Sequence, residues 1–372
     1  MSAASTEPLK IVVLGLSITS SWGNGHATTY RGLVRELARR GHDVLFLERD
    51  VPWYASHRDL PERPDSSHGR TVLYADLPAL QRAHARDVGE ADLVIVGSFV
   101  PDGIAVGDWV QSQASGCTAF YDIDTPVTLA ALGRDGTSYI EARQIAGYDL
   151  YLSFTGGPTL ERLQREFGSP AARQLYCSVD PALYFPEPVA QDCDLGYMGT
   201  YSDDRQPTLE ALLLEPARQW QGGRFEVAGA QYPDGIVWPA NVRYTAHLPP
   251  AQHRAFYNRQ RFTLNVTRAD MIRAGWSPSV RLFEAAACGT PIVSDRWDGI
   301  ESLLVPGREI FLADSPREVT RLLRELPEEE RRAVGERARQ RILAEHTAAH
   351  RAAELEAHAR MALLRMPVRE AA

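Results

Sequence analysis

Short apolar runs alternate with helix-length segments, break once at a Pro-rich stretch, and then resume. This rhythm constrains the fold more than any other feature of the chain. Lys10–Ser17 (KIVVLGLS) is a β-branched apolar run followed by a polar, Gly-containing loop, 18–26. A helical pattern with Leu33 and Leu37 comes next, stopped by Gly41, and a second apolar run covers Asp43–Leu47. Strand, loop, helix and strand within about forty residues make a βαβ unit, and such continuous apolar runs mark strands buried on both faces of a parallel sheet. Further strands are expected at Arg70–Tyr74, Leu93–Val96, Thr118–Tyr121, Leu150–Phe154 and Gln174–Val179.

From Asp180 to Asp194 the chain carries three prolines and little periodicity, which reads as a linker. Alternation restarts with strands expected at Leu195–Met198, Arg224–Val227, Val242–Thr245, Phe262–Val266, Pro291–Ser294 and Ile310–Leu312. Helices are expected at Val280–Cys288 and Pro316–Leu326, and the Ala-, Glu- and Arg-rich stretch Glu328–Arg365 reads as one helix. The 372 residues suit two domains rather than one. The fold class is therefore α/β, with two doubly wound Rossmann-like domains in tandem.

Forty Lys and Arg residues are interleaved with 48 Asp and Glu, for a net charge of -8. Without a basic block, nucleic acid is not an expected partner. No stretch approaches the ~20 apolar residues of a membrane span, and the polar N-terminus shows no secretory signal. The four cysteines, Cys117, Cys177, Cys193 and Cys288, have no metal-type spacing and read as reduced thiols, so a cytoplasmic location is expected.

Chemistry concentrates in Gly275–Asp295, GWSPSVRLFEAAACGTPIVSD. A Ser-Pro-Ser loop opens its helix, where unpaired N–H groups and the positive dipole end suit a phosphate. Glu284 lies among alanines, where a packed helix face would not welcome a charge. A carboxylate accepting from two ribose hydroxyls explains it, and a helix-face acid paired with an Arg is the plainer alternative. Phe283–Asp295 resembles the signature of group 1 glycosyltransferases (family 4-like). The form Arg281-Leu-Phe-Glu284-Ala-Ala-Ala-Cys-Gly289 is most similar to their spore-maturation, CgeB-like branch. Cys177–Pro186 is similar to the interdomain stretch of these enzymes, and Gly199-Thr200-Tyr201-Ser202 to their phosphate-side loop.

The resemblance implies a GT-B fold: two facing Rossmann-like domains, 1–180 and 194–345, a linker at 181–193, and a C-terminal helix from about 346 to 372 crossing back to the first domain. It implies a nucleotide-sugar donor, with UDP or TDP as the nucleotide, and an acceptor that is a small molecule, glycan or protein. Glu284 would hold the ribose, and the backbone around Ser277, Ser279 and Val280, with Arg281, would meet the diphosphate. Gly25, Gly199, Thr200, Tyr201, Arg205 and Arg268 would join the donor site, and His247 would lie near the base. Trp22 and Asn24 would face the acceptor. No cofactor and no obligatory metal is expected, and the chain would act as a monomer or homodimer. One departure stands out: where many group 1 enzymes carry a first Glu, eight positions before the second, this chain has Trp276.

Two features are ambiguous from the residues alone. His26, at the helix start after Gly-Asn-Gly, would act as base, position the sugar phosphate or make a capping contact. Asp122 and Asp124 would point the same way if their strand continues. They read as a base or acceptor-hydroxyl ligand, as the Asp-x-Asp metal site of the GT-A class, or as plain caps. The rival functions are a nucleotide-sugar 2-epimerase of the same fold and a non-catalytic nucleotide-sugar-binding protein.

Overall fold

A computed structural model describes residues 7–22, 25–60 and 69–366. The chain divides into two compact units. One holds the chain as far as Tyr176 together with the segment beginning at Ala348, and the other is Cys177–Thr347.

The first unit is built on a seven-stranded, all-parallel sheet of order β3-β2-β1-β4-β5-β6-β7. Its strands are β1 (Lys10–Gly15), β2 (Asp43–Arg49), β3 (Arg70–Tyr74), β4 (Leu93–Gly97), β5 (Cys117–Asp122), β6 (Leu150–Ser153) and β7 (Ala172–Gln174). Strand order reverses at β1, where Ile11 pairs with Val44 on one side and Leu93 on the other. Ligands of open α/β sheets bind beyond the carboxyl ends of strands at such a switch point. Leu14, Val94, Val96 and Phe120 lie in its core.

The second unit repeats the plan with six parallel strands in the order β10-β9-β8-β11-β12-β13. They are β8 (Cys193–Met198), β9 (Phe225–Ala228), β10 (Val242–Thr245), β11 (Gln260–Asn265), β12 (Ile292–Ser294) and β13 (Phe311–Leu312). Its switch point lies between β8 and β11.

Three expectations are corrected. β7 is Ala172–Gln174 rather than Gln174–Val179, because its partner β6 ends at Ser153 and later residues have no strand to pair with. Glu328–Arg365 is two helices, Glu328–Glu345 and Ala348–Leu363. The break occurs where Thr347 forms a β-bridge with Val179, whose N–H donates to the His346 carbonyl at 3.2 Å. The segment 181–193 belongs to the second unit and is packed rather than a free tether. The Glu187 N–H donates to Asn258 Oδ1 at 2.8 Å, and Asn258 Nδ2 donates to the Phe185 carbonyl at 3.0 Å.

The Ala348–Leu363 helix packs on the His26–Arg39 helix of the first unit, with Gly32 so close that a Cβ there would lie 3.0 Å from the Ala348 Cβ. Glu356 accepts two bonds from Arg40, at 2.8 and 2.6 Å, and one from Arg360 at 2.8 Å. No helix among the described residues is long and apolar enough to cross a membrane.

Candidate functional site

In the second unit the chemistry gathers where β8 and β11 end. The Gly199 N–H donates to the Ala228 carbonyl at 2.8 Å, and a Cβ on Gly229 would overlap the Gly199 carbonyl oxygen. Only glycine at 229 lets the exits of β8 and β9 approach so closely. Arg281 lies beneath the loop. Its Nε donates to the Met198 carbonyl and its Nη1 to Asn265 Oδ1 at 3.3 Å and Ser279 Oγ at 3.2 Å, while its guanidinium stands 5.0 Å from the Tyr197 ring centroid. Arg281 is 8% exposed, so it braces the loop while lending it charge.

Two more guanidiniums join it. Arg205 donates from Nη2 to the Thr200 carbonyl at 2.6 Å, and its Nε is buried without a hydrogen-bond partner. Burial, together with repulsion from Arg281 and Arg268, pushes the Arg205 guanidinium down. Arg268 Nε lies 3.8 Å from Asp204 Oδ2, its nearest counter-charge. Asp204 is held in turn by the Ala269 N–H at 2.8 Å and by the Ser202 hydroxyl.

The Val280–Ala287 helix begins at the same place. Ser279 is its N-cap in extended conformation, but its hydroxyl donates to Asn265 Oδ1 at 2.8 Å and does not cap the helix. The first turn thus starts without a side-chain cap beside three guanidiniums, an arrangement suited to a dianionic phosphate group. Buried Ser277 and half-buried Val280 flank it. Gly275 and Trp276 both take positive φ, 64° and 45°, and the Trp276 N–H donates to the Asp298 carbonyl at 2.6 Å. The Trp276 ring packs on Gly299, where a Cβ would meet it.

Glu284 lies farther along the same helix, 3% exposed. Tyr257 donates to its Oε2 at 3.2 Å. Burial pushes the carboxyl up, while His253, the Tyr184 and Tyr257 hydroxyls and Arg281 pull it back. Tyr201 turns its hydroxyl to Asp203 at 2.6 Å, and His247 is exposed past the end of β10. Sequence reasoning missed the partners of Glu284. Tyr184 was hidden in the Pro-rich stretch, and Tyr257 and His253 in an unremarkable helix, Pro250–Asn258.

In the first unit the β1 exit loop is fixed by Glu48, at the end of β2. Its buried carboxylate accepts from the Ile18 N–H at 2.7 Å, the Thr19 N–H at 3.0 Å, the Thr19 hydroxyl at 2.6 Å and the Ser17 hydroxyl at 3.0 Å. Trp22 is 37% exposed and stacks on His57 with centroids 4.5 Å apart. Gly25 is the N-cap of the His26–Arg39 helix, and Asn24 lies outside the described residues.

The aspartates part company. β5 ends at Asp122, so Asp124 lies in the turn that opens the Thr125–Leu132 helix and the two do not share a strand face. Asp122 is fully buried. It accepts from Tyr151 at 2.5 Å, Thr128 at 3.0 Å and the Asp124 N–H at 3.2 Å. Burial pushes its carboxyl up to about 6, against the pull of Tyr151 and Thr128. Asp124 is half-buried and faces His26. Burial lowers the His26 imidazole, and the Asp124 charge partly restores it. The His26 ring also meets Phe99, whose φ of 64° is a strained left-handed backbone at the exit of β4. Among the described residues no cluster of three or more His, Cys, Asp or Glu is arranged to hold a metal ion.

This double parallel-sheet architecture is the GT-B fold of glycosyltransferases. The model of the Glycosyl transferase-like family matches residues 205–357, which span the three arginines and Glu284. A sucrose-phosphate synthase from Thermosynechococcus elongatus superposes with a TM-score of 0.69 at 16% identity, covering 94% of this chain and 98% of that one. Anabaena HepE, solved with UDP and glucose, gives 0.68 at 13% identity with the same coverage. An α-glucosyltransferase solved with UDP and a 13-mer DNA gives 0.66 at 12% identity, covering 95% and 100%. No curated relative matches the chain at the sequence level.

Proposed function

We propose that the protein transfers a sugar from a nucleoside-diphosphate sugar to an acceptor hydroxyl without a metal ion, as a member of the CgeB-like branch. The observation that carries this reading is the nest of Arg205, Arg268 and Arg281 at the uncapped start of the Val280–Ala287 helix, with Glu284 on the same helix. A diphosphate leaving group gathers negative charge as its bond to the anomeric carbon breaks, and fixed cations and helix N–H groups stabilise that charge without reorganising. Arg205 and Arg268 each keep a buried Nε without a hydrogen-bond partner, so both are more available than Arg281. Glu284 would accept from the ribose hydroxyls. UDP-bound neighbours support a nucleotide donor, although one of them was solved with DNA, so the acceptor class stays broad.

The first unit would supply the base. His26, kept neutral near pH 7 by burial and oriented by Asp124, would take the proton of the acceptor hydroxyl as its oxygen bonds to the anomeric carbon. Asp122 serves underneath, holding the turn that presents Asp124.

The test is release of nucleoside diphosphate from a panel of nucleotide sugars, with and without chelator, beside calorimetry of UDP binding to Glu284→Gln. Turnover should survive chelation, and the variant should bind UDP more weakly by about 1.5–3 kcal/mol. Activity lost to chelator and restored by Mn²⁺, or unchanged UDP affinity, refutes the corresponding half of the reading.

A further inference from the structure

Two contacts set the exit of β4 against the start of the His26–Arg39 helix. His26 and Tyr30 are four positions apart and share one helix face. Tyr30 meets Gly97, the last residue of β4, where a Cβ would overlap the tyrosine hydroxyl. Two positions on, Phe99 meets the His26 ring, with centroids 5.7 Å apart and planes tilted by 52°. Gly97 thus lets the helix come close, and Phe99 decides what the imidazole meets when it does.

The backbone of Phe99 is left-handed, with φ 64°, and so is that of Asp102 in the same turn, with φ 57°. A short polar side chain tolerates that region, whereas a bulky aromatic one is strained there, and glycine would adopt it freely. Bonds on either side leave Phe99 little room to relax. The Ser98 N–H donates to the Tyr121 carbonyl at 3.0 Å, and the Ser98 hydroxyl accepts from the Ile123 N–H at 3.2 Å. The Phe99 ring also packs on Tyr139, with centroids 4.6 Å apart. The Tyr139 hydroxyl lies 2.8 Å from that of Thr128, which donates to Asp122 at 3.0 Å. Gly103 abuts the same tyrosine so closely that a Cβ there would lie 2.7 Å from the Tyr139 Cα. The half-buried Phe99 ring is therefore clamped to a buried, hydrogen-bonded wall, and its strain persists because the surroundings over-determine it.

We propose that Phe99 is a positioning residue for His26, its clamped ring fixing the orientation of the imidazole and keeping water from it. This role rests on the base role proposed for His26. A base must be aimed at the proton it takes, and a misplacement of ~1 Å can lower a rate ~100-fold. An apolar ring against the imidazole also favours the neutral form that can act as base. Asp124 is the charge that acts on His26, and Asp122, Tyr30 and Tyr139 are the other titratable groups packed around the two.

The experiment follows the His26 imidazole by NMR titration, which needs neither donor nor acceptor, with His26→Gln identifying its signal. Beside it, diphosphate release from the most active nucleotide sugar of the panel is measured across pH 5–9. The proteins are wild type, His26→Gln, Phe99→Gly, Phe99→Ala, Phe99→Leu and Phe99→Tyr. In Phe99→Gly and Phe99→Ala the imidazole should hold its proton ~3–10-fold more tightly, and the acid limb of kcat/KM should move up with it. The kcat at the optimum should fall ~10-fold or more, with KM for the donor unchanged. Phe99→Tyr keeps the ring and should restore both properties. Phe99→Gly should melt above Phe99→Ala, because glycine takes the left-handed backbone without strain. Phe99→Leu keeps apolar bulk without the ring, so it reports even if the smaller variants fold poorly, and its kcat should fall as well. An unmoved imidazole titration in the ringless variants, or a moved one with unchanged kcat, overturns the positioning role while the base role stands. The base role fails separately, if His26→Gln turns over as wild type.

Discussion

His26 and Asp124 show what a single charge does in a half-buried setting. Burial favours the neutral imidazole, and the nearby carboxylate favours the cation. Removing that carboxylate in Asp124→Asn should move the acid limb of kcat/KM to lower pH, because His26 then holds its proton less tightly. A pH–rate profile with an unmoved acid limb would show that His26 is not the group titrating. Asp122 obeys the opposite logic. Its folded pKa of about 6 lies above the ordinary carboxyl value, so the folded state binds the extra proton between about pH 4 and 6 and stability falls as pH rises through that window. Asp122→Asn removes this penalty, at most about 3 kcal/mol. Its melting temperature relative to wild type should improve steadily from pH 4 to 7, and a constant difference would contradict the assignment. The two aspartates looked like a pair in the sequence because alternation assumes the strand goes on. Where a strand stops is decided by tertiary bonds, here those that Tyr151 and Thr128 give to Asp122, and these leave no mark in local spacing.

Among elements, the β1 exit loop depends on one side chain from another strand. Four donors converge on Glu48, and a glutamine offers one acceptor oxygen and a competing donor amide. Glu48→Gln should cost about 2–4 kcal/mol of stability, the scale for leaving several buried donors poorly met. It should also lower kcat more than that loss alone explains, since His26 follows the loop. Full activity in a variant that only melts earlier would confine Glu48 to a structural role. Nothing in the sequence told that Glu48, just past the expected strand Asp43–Leu47, faces its own fold rather than a ligand. The Val280–Ala287 helix was more legible. A Ser-Pro-Ser start, a lone acid among alanines and a Gly stop are local signals, and the helix ends within a residue of where they place it. The company of Glu284 was not legible, because its tyrosines come from 100 and 27 positions away.

At the scale of the whole molecule, the chain leaves the first unit at Tyr176 and re-enters it at Ala348. The final helix buries Ala352, Leu355 and Ala359 against it, and Glu356 ties it to Arg40 and His42 while pairing with Arg360 one turn on in the same helix. Burial alone would raise the Glu356 carboxyl, but the bonds from Arg40 and Arg360 outweigh it and hold the group at about 2. A depressed carboxyl contributes stability that is complete above its unfolded value of about 4.5 and is lost as pH falls towards 2. After allowance for solvent screening this is worth about 1–2 kcal/mol. Removing the helix is a larger change. At ~25 cal/mol per Å², exposing even ~200 Å² of apolar surface costs about 5 kcal/mol, a large share of a domain's stability. A chain stopped after Thr347 should therefore unfold in two steps. The early step should belong to the first unit, and the later one should stay near the wild-type temperature, because every residue removed belongs to the first unit. Glu356→Gln should shift the same early step by less, and the shift should shrink below about pH 4 as the wild-type carboxylate is protonated too. Scanning calorimetry of the two proteins distinguishes these outcomes. A truncated chain that melts in one step at the wild-type temperature and retains turnover would show that the final helix is an appendage and not part of the first unit's core.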